Sequence, residues 1–400
     1  MNLLQIAWSY VRASPLRTLL NIVLIALGTA TIGFVVIVNE QIGGTLNRDA
    51  QGIDLVVGAK GSAISLILAG VYHVDAPTGN VSLDSARELA RNPLVKKVIP
   101  LSLGDSFRGY RIVGTTPDYL GLYDGTFAAG RVWQDKMEAV LGATVAAKAG
   151  IGVGDTFVGS HGLGAGGPIH TDSVYTVVGI LKPTGTVLDR LVTVNSESVW
   201  FVHEGPLTDP DEKKVVEAER QVTILLLQYA TPVAAATLPR KINAETNMQA
   251  ASPALESARL FRMIGVGADV IRAFGGVVLA TAALSLFIAL YHALNERAYD
   301  IAVLRTLGAR PSSIASLLFL EALMLALLGG LVGLALAHGL VAILAAWMAS
   351  EEALRIQAWS FSASEFLLLM PALLAATLAA ALPSWRAARA NISAALSRRF

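Results

Sequence analysis

The sequence predicts a membrane α-helical fold with four transmembrane helices and an inserted α+β domain. Hydrophobic residues make up 54% of the 400-residue chain and charged residues only 15%, against about 25% in soluble proteins. Four apolar runs are each long enough to cross a bilayer, which requires about 20 residues. A long stretch between the first and second runs is polar enough, and has the strand-like patterning, to form a domain in water.

The four apolar runs define the predicted spans. They are residues 18–38, residues 273–293, the stretch between Arg310 and Glu351, and residues 366–385. Glu321 is the single charged residue inside the third stretch, which is long enough for one span and an additional helical piece. The first run is longer than the apolar part of a signal peptide, roughly 7–15 residues, and we therefore interpret it as an uncleaved anchor.

Basic residues predict the orientation of these spans, because cytoplasmic segments of membrane proteins are enriched in lysine and arginine. The two termini and the segment between spans two and three together carry nine basic residues: Arg12, Arg17, Arg297, Arg305, Arg310, Arg386, Arg389, Arg398 and Arg399. The same segments carry two acidic residues, Glu296 and Asp300. We therefore expect both termini to be cytoplasmic, and the large domain to be outside the cell membrane.

The predicted organisation has eight segments along the chain. They are an N-terminal interfacial helix with transmembrane helix 1 (1–39), the extracytoplasmic α+β domain (40–265), a stalk with transmembrane helix 2 (266–294), a cytoplasmic helix (295–313), transmembrane helix 3 (314–349), a short extracytoplasmic loop (350–364), transmembrane helix 4 (365–385) and a cytoplasmic tail (386–400).

Within the α+β domain, runs rich in Val, Ile, Thr and Tyr and bounded by turn residues predict strands. These runs are residues 54–59, 96–102, 108–114, 172–181, 190–202 and 221–230. Residues 82–93 predict a helix that Ser82 caps and Pro93 ends, and residues 144–149 predict a second short helix. Residues 204–214 have the composition of an exposed loop.

Few residues of this domain suggest chemistry, and we predict no catalytic residue and no metal ligand. The stretch GLGAGG at 162–167 fits a dinucleotide-binding spacing, but a strand follows it instead of a helix, so we interpret it as a loop. His161 and His170 flank that loop and are metal-ligand candidates. Because no second ligand pair accompanies them in the sequence, we expect exposed loop histidines.

The chain has no cysteine, which excludes thiolate sites and disulfides, and no phosphate-binding loop. Residues 71–80 fit a surface turn or a contact with cargo, and the net charge of +1 gives no indication of a nucleic-acid partner.

The densest regular charge pattern lies in NERAYDIAVLRTLGAR, residues 295–310. The part from Glu296 to Leu307 lacks Gly and Pro and predicts a short amphipathic helix, in which Arg297 and Asp300 are spaced to pair. Gly308 is a natural stop for this helix, and Pro311 prevents its continuation. An interfacial helix that only anchors the turn would show the same pattern.

This stretch resembles the cytoplasmic signature of the MacB/FtsX/LolC–LolE type of ABC transporter permease. The matching positions are Glu296, Arg297, Asp300, Ile301, Leu304, Arg305, Leu307, Gly308, Ala309 and Ile314. The family more often has Glu where this chain has Asp300. Further stretches resemble the first and third spans of the family, its extracytoplasmic core domain and its C-terminal end, whereas residues 58–80 do not match its general pattern.

The resemblance implies a fold with an extracytoplasmic domain of MacB core-domain type in a bacterial inner membrane. It also implies a partner ABC ATP-binding subunit, a second permease copy in a homodimer or related heterodimer, and a periplasmic adaptor or cargo-binding protein. No cofactor is expected on this chain, because ATP and Mg would be bound by the ATPase. The implied mechanism is mechanotransmission, in which the segment with Glu296, Arg297, Asp300, Ile301, Leu304, Arg305, Gly308 and Ala309 couples ATPase motion to the outside domain.

Three functions remain open at this point. The chain could export or extract a periplasmic or outer-leaflet cargo such as a lipoprotein, peptide or hydrophobic compound. It could instead be an FtsX-like signalling scaffold that activates an extracytoplasmic partner, or a membrane enzyme with its active site outside. The size of the outside domain favours the first.

The third span contains a pattern typical of close helix packing. Gly329 and Gly333 are spaced four apart, and small residues at this spacing let helix backbones approach closely. We expect both glycines to pack against another span and Glu321 to face protein instead of lipid, because a carboxylate in lipid is costly. The alternative is that the glycines pack within one subunit and Glu321 reaches the lipid headgroups.

Overall fold

The computed structural model describes residues 3–162, 167–204, 209–348 and 357–389. These residues form two compact units. The described residues before Gly43 and after Arg262 form a helical unit, and Gly43–Arg262 form an α/β unit.

The helices of the described residues are numbered in chain order. They are α1 (Leu3–Ala13), α2 (Pro15–Asp49), α3 (Ala63–Gly70), α4 (Leu83–Ala90), α5 (Pro117–Leu122), α6 (Ala143–Ala149), α7 (Ser196–Glu204), α8 (Pro210–Ala218), α9 (Pro232–Glu245), α10 (Pro253–Glu296), α11 (Ala298–Thr306), α12 (Pro311–Trp347) and α13 (Leu369–Ala388). Short 3₁₀ helices occupy Val187–Arg190 and Ala363–Leu368.

The strands are numbered in the same way. They are β1 (Leu55–Ala59), β2 (Val81–Ser82), β3 (Val95–Phe107), β4 (Tyr110–Thr115), β5 (Phe127–Gly130), β6 (Glu138–Leu141), β7 (Thr156–His161), β8 (Ile169–Leu181), β9 (Val192–Asn195), β10 (Gln221–Val222), β11 (Ile224–Tyr229) and β12 (Met248–Ala251).

Within the part of the chain that the structure describes, four helical segments are long and apolar enough to cross a membrane. They are Pro15–Asp49, Pro253–Glu296, Pro311–Trp347 and Glu365–Ala388. The first, second and fourth contain the predicted runs 18–38, 273–293 and 366–385, and the third contains residues 314–347 of the predicted span 314–349. The third span and the additional helical piece predicted beside it form one continuous helix, α12.

Small residues let the helices of the helical unit approach closely. A Cβ atom added at Gly28 of α2 would lie 2.7 Å from Leu279 of α10, and one added at Gly33 would lie 3.2 Å from Ala337 of α12. Because real Cβ atoms essentially never approach within 3.0 Å of a neighbour, glycine at position 28 permits the spacing of α2 and α10.

The α/β unit is built on one large sheet that, over the described residues, contains ten strands. Nine of them follow the order β12-β1-β11-β3-β4-β9-β6-β8-β5, and β7 pairs with both β3 and β8. Most neighbours are antiparallel, but β4 and β9 run parallel, as do β6 and β8. A separate pair joins β10 to β2.

Helices cover both faces of this sheet near β1, because alternate side chains of a strand point to opposite faces. Val56 packs in one apolar cluster with Leu66 of α3, while Leu55 and Val57 pack in another with Leu238 of α9. Burial on both faces explains why this strand is continuously hydrophobic instead of alternating.

Two helix predictions for this unit are confirmed. Helix α4 begins after Ser82, whose side chain accepts a hydrogen bond from the backbone N–H of Ser85, and α6 occupies Ala143–Ala149. Residues 190–202 are only partly a strand, because β9 ends at Asn195 and α7 begins at Ser196. The Asn195 side chain accepts a hydrogen bond from the N–H of Glu197 and so satisfies one free donor at the start of this helix.

The predicted loop at 204–214 is also wrong in part, because α8 begins at Pro210. The side chain of Asp209 accepts a hydrogen bond from the N–H of Asp211 and caps this helix. Residues 205–208 lie outside the described residues.

Candidate functional site

Helix α11 is the structured form of the predicted amphipathic helix and connects α10 to α12. The backbone at Arg297 leaves helical geometry, which separates α11 from α10. At the other end Gly308 has a positive φ of 95°, and the N–H of Ala309 donates to the Leu304 carbonyl at 3.0 Å. This is a glycine-terminated helix end, as Gly308 predicts.

The faces of α11 are clearly divided between interior and solvent. Ile301 and Ala302 are buried, and Ile301 belongs to an apolar cluster shared with α12 and α13. Asp300 is exposed, and so are two large side chains, Tyr299 and Leu307, the latter 79% exposed. An inward face therefore fixes α11 to the helical unit, and an outward face is exposed to solvent.

Arg297 forms the most buried ion pair at this end of the helical unit. Its Nη1 lies 3.0 Å from Oε2 of Glu321 in α12, with 14% and 9% of the two side chains exposed. Its guanidinium also stacks on the ring of Tyr10 in α1, 3.9 Å from the centroid. Within the described residues the ion-pair partner of Arg297 is thus Glu321 and not the predicted Asp300. The pair joins the start of α11 to the first third of α12.

Some of the remaining predicted coupling residues contact other parts of the chain, and others are exposed. Glu296 is exposed and pairs with Arg17 of α2 at 3.3 Å. Nη1 of Arg305 donates to the Ala388 carbonyl of α13 at 3.5 Å, and Leu304 and Ala309 are half-buried. Contacts within the chain therefore hold Glu296, Arg297 and Arg305, while Asp300 remains outward.

Gly329 and Gly333 both face α2 of the same chain. A Cβ atom added at Gly329 would lie 2.8 Å from Ile25, and one added at Gly333 would lie 2.7 Å from the backbone oxygen of Ala26. Glu321 lies on the same helix, is 7% exposed and faces protein. The two glycines allow α12 to lie directly against the first span.

In the α/β unit the structure brings together side chains that are far apart in the sequence. Asp105 of β3 is the direct cross-strand partner of His161 of β7. Oδ1 of Asp105 lies 3.4 Å from Nδ1 of His161 and 3.3 Å from Nε2 of His170 in β8, and Oδ2 lies 3.3 Å from Nε2 of His203 in α7. His161 and His170 belong to strands, so the expectation of loop histidines is wrong, whereas the residues 163–166 of the predicted loop lie outside the described ones.

Asp105 dominates the electrostatics of this cluster, which we call the histidine cluster (Asp105, His161, His170 and His203). The Asp105 side chain is 2% exposed, and burial acts to raise its pKa; the contacts with His203 and His170 outweigh burial and lower that pKa. The same contact with Asp105 raises the pKa of His203. Asp105 and His203 could not be predicted as members of this cluster, because only the strand register and α7 bring them beside the other two residues.

Residues beside His203 in α7 attach this helix to Arg220 and Gln221. Glu204 pairs with Arg220 at 3.0 Å, and Nε1 of Trp200 donates to the Gln221 carbonyl at 2.8 Å. His161 and His203 line one side of a cleft of about 490 Å³, which Trp200 and Arg220 also line. The cluster is therefore open to solvent on the cleft side.

Two family models match this chain. The FtsX-like permease C-terminal model matches residues 272–392, and the MacB-like periplasmic core domain model matches residues 18–258. The first of these regions contains α11 and α12, and the second contains most of the α/β unit.

Curated proteins and solved structures are similar to the chain. It is 25% identical over 370 residues to the pyoverdine export ATP-binding/permease protein PvdT of Pseudomonas savastanoi pv. phaseolicola, covering 86% of this chain and 52% of that protein. It is 26% identical over 357 residues to PvdT of Pseudomonas aeruginosa, covering 84% and 50%. The chain thus spans about half the length of the curated relatives it matches. The periplasmic region of MacB from Actinobacillus actinomycetemcomitans is 11% identical, with a TM-score of 0.35 over 53% of this chain and 95% of that one.

Proposed function

This chain belongs to the ABC transporter permease family that combines a MacB-like periplasmic core domain with an FtsX-like C-terminal region, and we propose that it is a permease subunit that converts ATP hydrolysis by a separate subunit into motion of its α/β unit. The cargo is a periplasmic or outer-leaflet compound that is exported or extracted. The protein lies in a bacterial inner membrane with both termini in the cytoplasm. It works as a dimer with a second permease copy.

The observation that carries this proposal is the divided surface of α11. One face is fixed by buried Ile301 and by the Arg297–Glu321 pair, so a push on the helix moves the helical unit instead of being absorbed by a loose connection. The other face presents exposed Asp300, Tyr299 and Leu307. In the proposed complex, Tyr299 and Leu307 supply the apolar part of the contact with another protein, and Asp300 supplies a charge.

The partner in this proposal is an ABC ATP-binding subunit, which binds ATP and Mg. The name of the curated relatives joins an ATP-binding and a permease function, and this chain matches permease models over the half that it shares with them. Helices α2 and α10 each include residues of both units, and in this proposal they carry the motion from the helical unit to the α/β unit. A periplasmic adaptor or cargo-binding protein would act on that unit.

The substitution Leu307→Glu tests the docking surface. It places a carboxylate where an apolar contact with the ATPase is proposed, and Leu307 is too exposed for the change to disturb the fold. Loss of one central apolar anchor should weaken the complex by about tenfold or more. The measurements are co-purification of the partner ATP-binding subunit and its ATPase rate in the reconstituted complex.

A matched control is Val215→Glu, at a valine on α8 that is 58% exposed. We expect this variant to bind and stimulate the ATPase like the unmodified chain, because α8 is not part of the proposed contact. Unchanged binding and stimulation for Leu307→Glu would overturn the assignment of α11 as the docking helix.

A further inference from the structure

The histidine cluster gathers four side chains from four separate elements of the α/β unit around one point. Asp105 comes from β3, His161 from the end of β7, His170 from β8 and His203 from the last turn of α7. The centroids of the three imidazole rings lie 5.5–5.9 Å apart in every pair. The chain has six histidines in all, so half of them meet here.

The distances fit the coordination shell of a small metal ion. One ligand atom each from Asp105, His161 and His203 lies within 4.8 Å of the other two. The carboxylate-to-imidazole distances are 3.3–3.4 Å. Ligand atoms about 2.0–2.1 Å from a tetrahedral zinc ion are separated by about 3.3–3.4 Å, which matches the carboxylate-to-imidazole distances. An ion would draw the imidazole nitrogens together from separations of up to 4.8 Å.

The carboxylate of Asp105 also has an unmet requirement for a positive charge or a donor. Within the described residues its buried Oδ2 has no hydrogen bond of good geometry, although Nε2 of His203 is 3.3 Å away. An unsatisfied buried charged oxygen is costly. A cation bound between the carboxylate and the imidazoles would satisfy this oxygen and use the lone pairs of all three rings.

We propose that Asp105, His161, His170 and His203 bind a divalent transition-metal ion of the zinc class at the edge of the cleft. The set of three imidazole nitrogens and one carboxylate oxygen suits zinc, whereas calcium and magnesium prefer oxygen ligands. Because the ligands belong to β3, β7, β8 and α7, the bound ion ties one end of the sheet to α7. Half-exposed His161 and His203 leave the ion accessible from the cleft, so it exchanges with the solution.

Zinc titration of the purified full-length chain tests this proposal. The protein is isolated through an affinity tag without histidine, stripped with a chelator and titrated with Zn²⁺ against a chromogenic competitor. We expect one ion per chain with a Kd of about 1 µM or tighter. Co²⁺ should give the intense visible absorption of a four-coordinate site, and bound Zn²⁺ should raise the Tm.

Variants that each remove one proposed ligand test whether Zn²⁺ binds at the histidine cluster and not elsewhere on the chain. His203→Ala and His161→Ala remove exposed side chains, which should not prevent folding, and each should weaken Zn²⁺ binding by about 100-fold or more. His292→Ala, in α10, is the matched control and should bind like the unmodified chain. If His161→Ala and His203→Ala both retain full affinity and the same Co²⁺ spectrum, or if the unmodified chain binds no Zn²⁺, the cluster is only a charge network around Asp105 and the proposal is wrong. Neither outcome depends on the ATPase contact of α11.

Discussion

Glu321 of α12 and Asp105 of β3 are both buried carboxylates, but their partners differ in kind. Glu321 faces the fixed charge of one arginine at 3.0 Å, and that arginine is also stacked on Tyr10. Asp105 faces three imidazoles at 3.3–3.4 Å and retains an oxygen with no well-formed hydrogen bond within the described residues. Arginine keeps its proton at every physiological pH, whereas imidazole can be protonated, neutral or bound to a metal.

This difference fits the two roles proposed above. A carboxylate neutralised by arginine is a permanent connection between two helices, as the proposed transmission of displacement requires. A carboxylate among imidazoles has an exchangeable neutralising partner, as the proposed metal site requires. Substitutions that remove a partner should therefore have large effects at Glu321 and ligand-dependent effects at Asp105.

The largest effect is expected from Arg297→Ala, because it leaves Glu321 buried without a compensating charge. Breaking a buried ion pair by removing one partner costs about 3–5 kcal/mol of stability. The measurement is unfolding of the purified chain by a denaturing detergent titrated into mixed micelles, with Arg310→Ala, at an exposed position, as the control.

The double variant Arg297→Met with Glu321→Leu tests whether the loss in Arg297→Ala comes from leaving Glu321 as an unpaired buried charge. Replacing both members of a buried pair by apolar residues is often neutral or stabilising, so we expect it to recover most of the lost stability.

Asp105→Asn in the metal-free chain should reduce the free energy of unfolding much less than Arg297→Ala does, because the imidazole partners of Asp105 can become neutral. An equal loss for Arg297→Ala and Asp105→Asn would remove the distinction between the two sites.

A smaller effect is expected from Gly333→Leu, which tests whether close packing also fixes α12. A Cβ atom at this position would lie 2.7 Å from a backbone oxygen of α2, which cannot move aside as a flexible side chain can. Overpacking of this kind costs about 1–3 kcal/mol. Gly339→Leu on the same helix is the control, because a Cβ atom there has no neighbour within 4 Å. Identical mixed-micelle unfolding of the two variants would mean that the Arg297–Glu321 pair, and not the glycine contact, positions α12.

The features that sequence could predict are those encoded within a few neighbouring residues. The spans follow from runs of apolar residues, and the end of α11 follows from the backbone freedom of Gly308, whose φ is 95°. The division of α11 into a buried and an exposed face follows from helical periodicity, with Ile301 inward and Asp300 outward.

The features that sequence could not predict depend on pairing between distant segments. Arg297 has an acidic neighbour three residues on, but its structural partner Glu321 is 24 residues away on α12. Asp105 meets His161 only because β3 pairs with β7 in that register, and α7 adds His203. The apolar stretch before His203 resembled a strand, and its helical form depends on the cap at Asn195 and on contacts with β10.

The smallest effect is expected at Arg17. Its ion pair with Glu296 is exposed, whereas the pair between Arg297 and Glu321 is buried. The two side chains are 37% and 60% exposed and lie 3.3 Å apart, slightly farther than Arg297 and Glu321. Solvent screens such a pair, and its formation restricts two long side chains, so Arg17→Ala should cost only about 0–1 kcal/mol. The cost should also shrink at high salt, because the Debye length falls from about 10 Å at 0.1 M to about 3 Å at 1 M. The same mixed-micelle titration at the two salt concentrations measures this, with Arg297→Ala as the reference whose cost should change little. A cost for Arg17→Ala as large and as salt-independent as that for Arg297→Ala would show that burial does not distinguish the two pairs, and that both fix the ends of the spans equally.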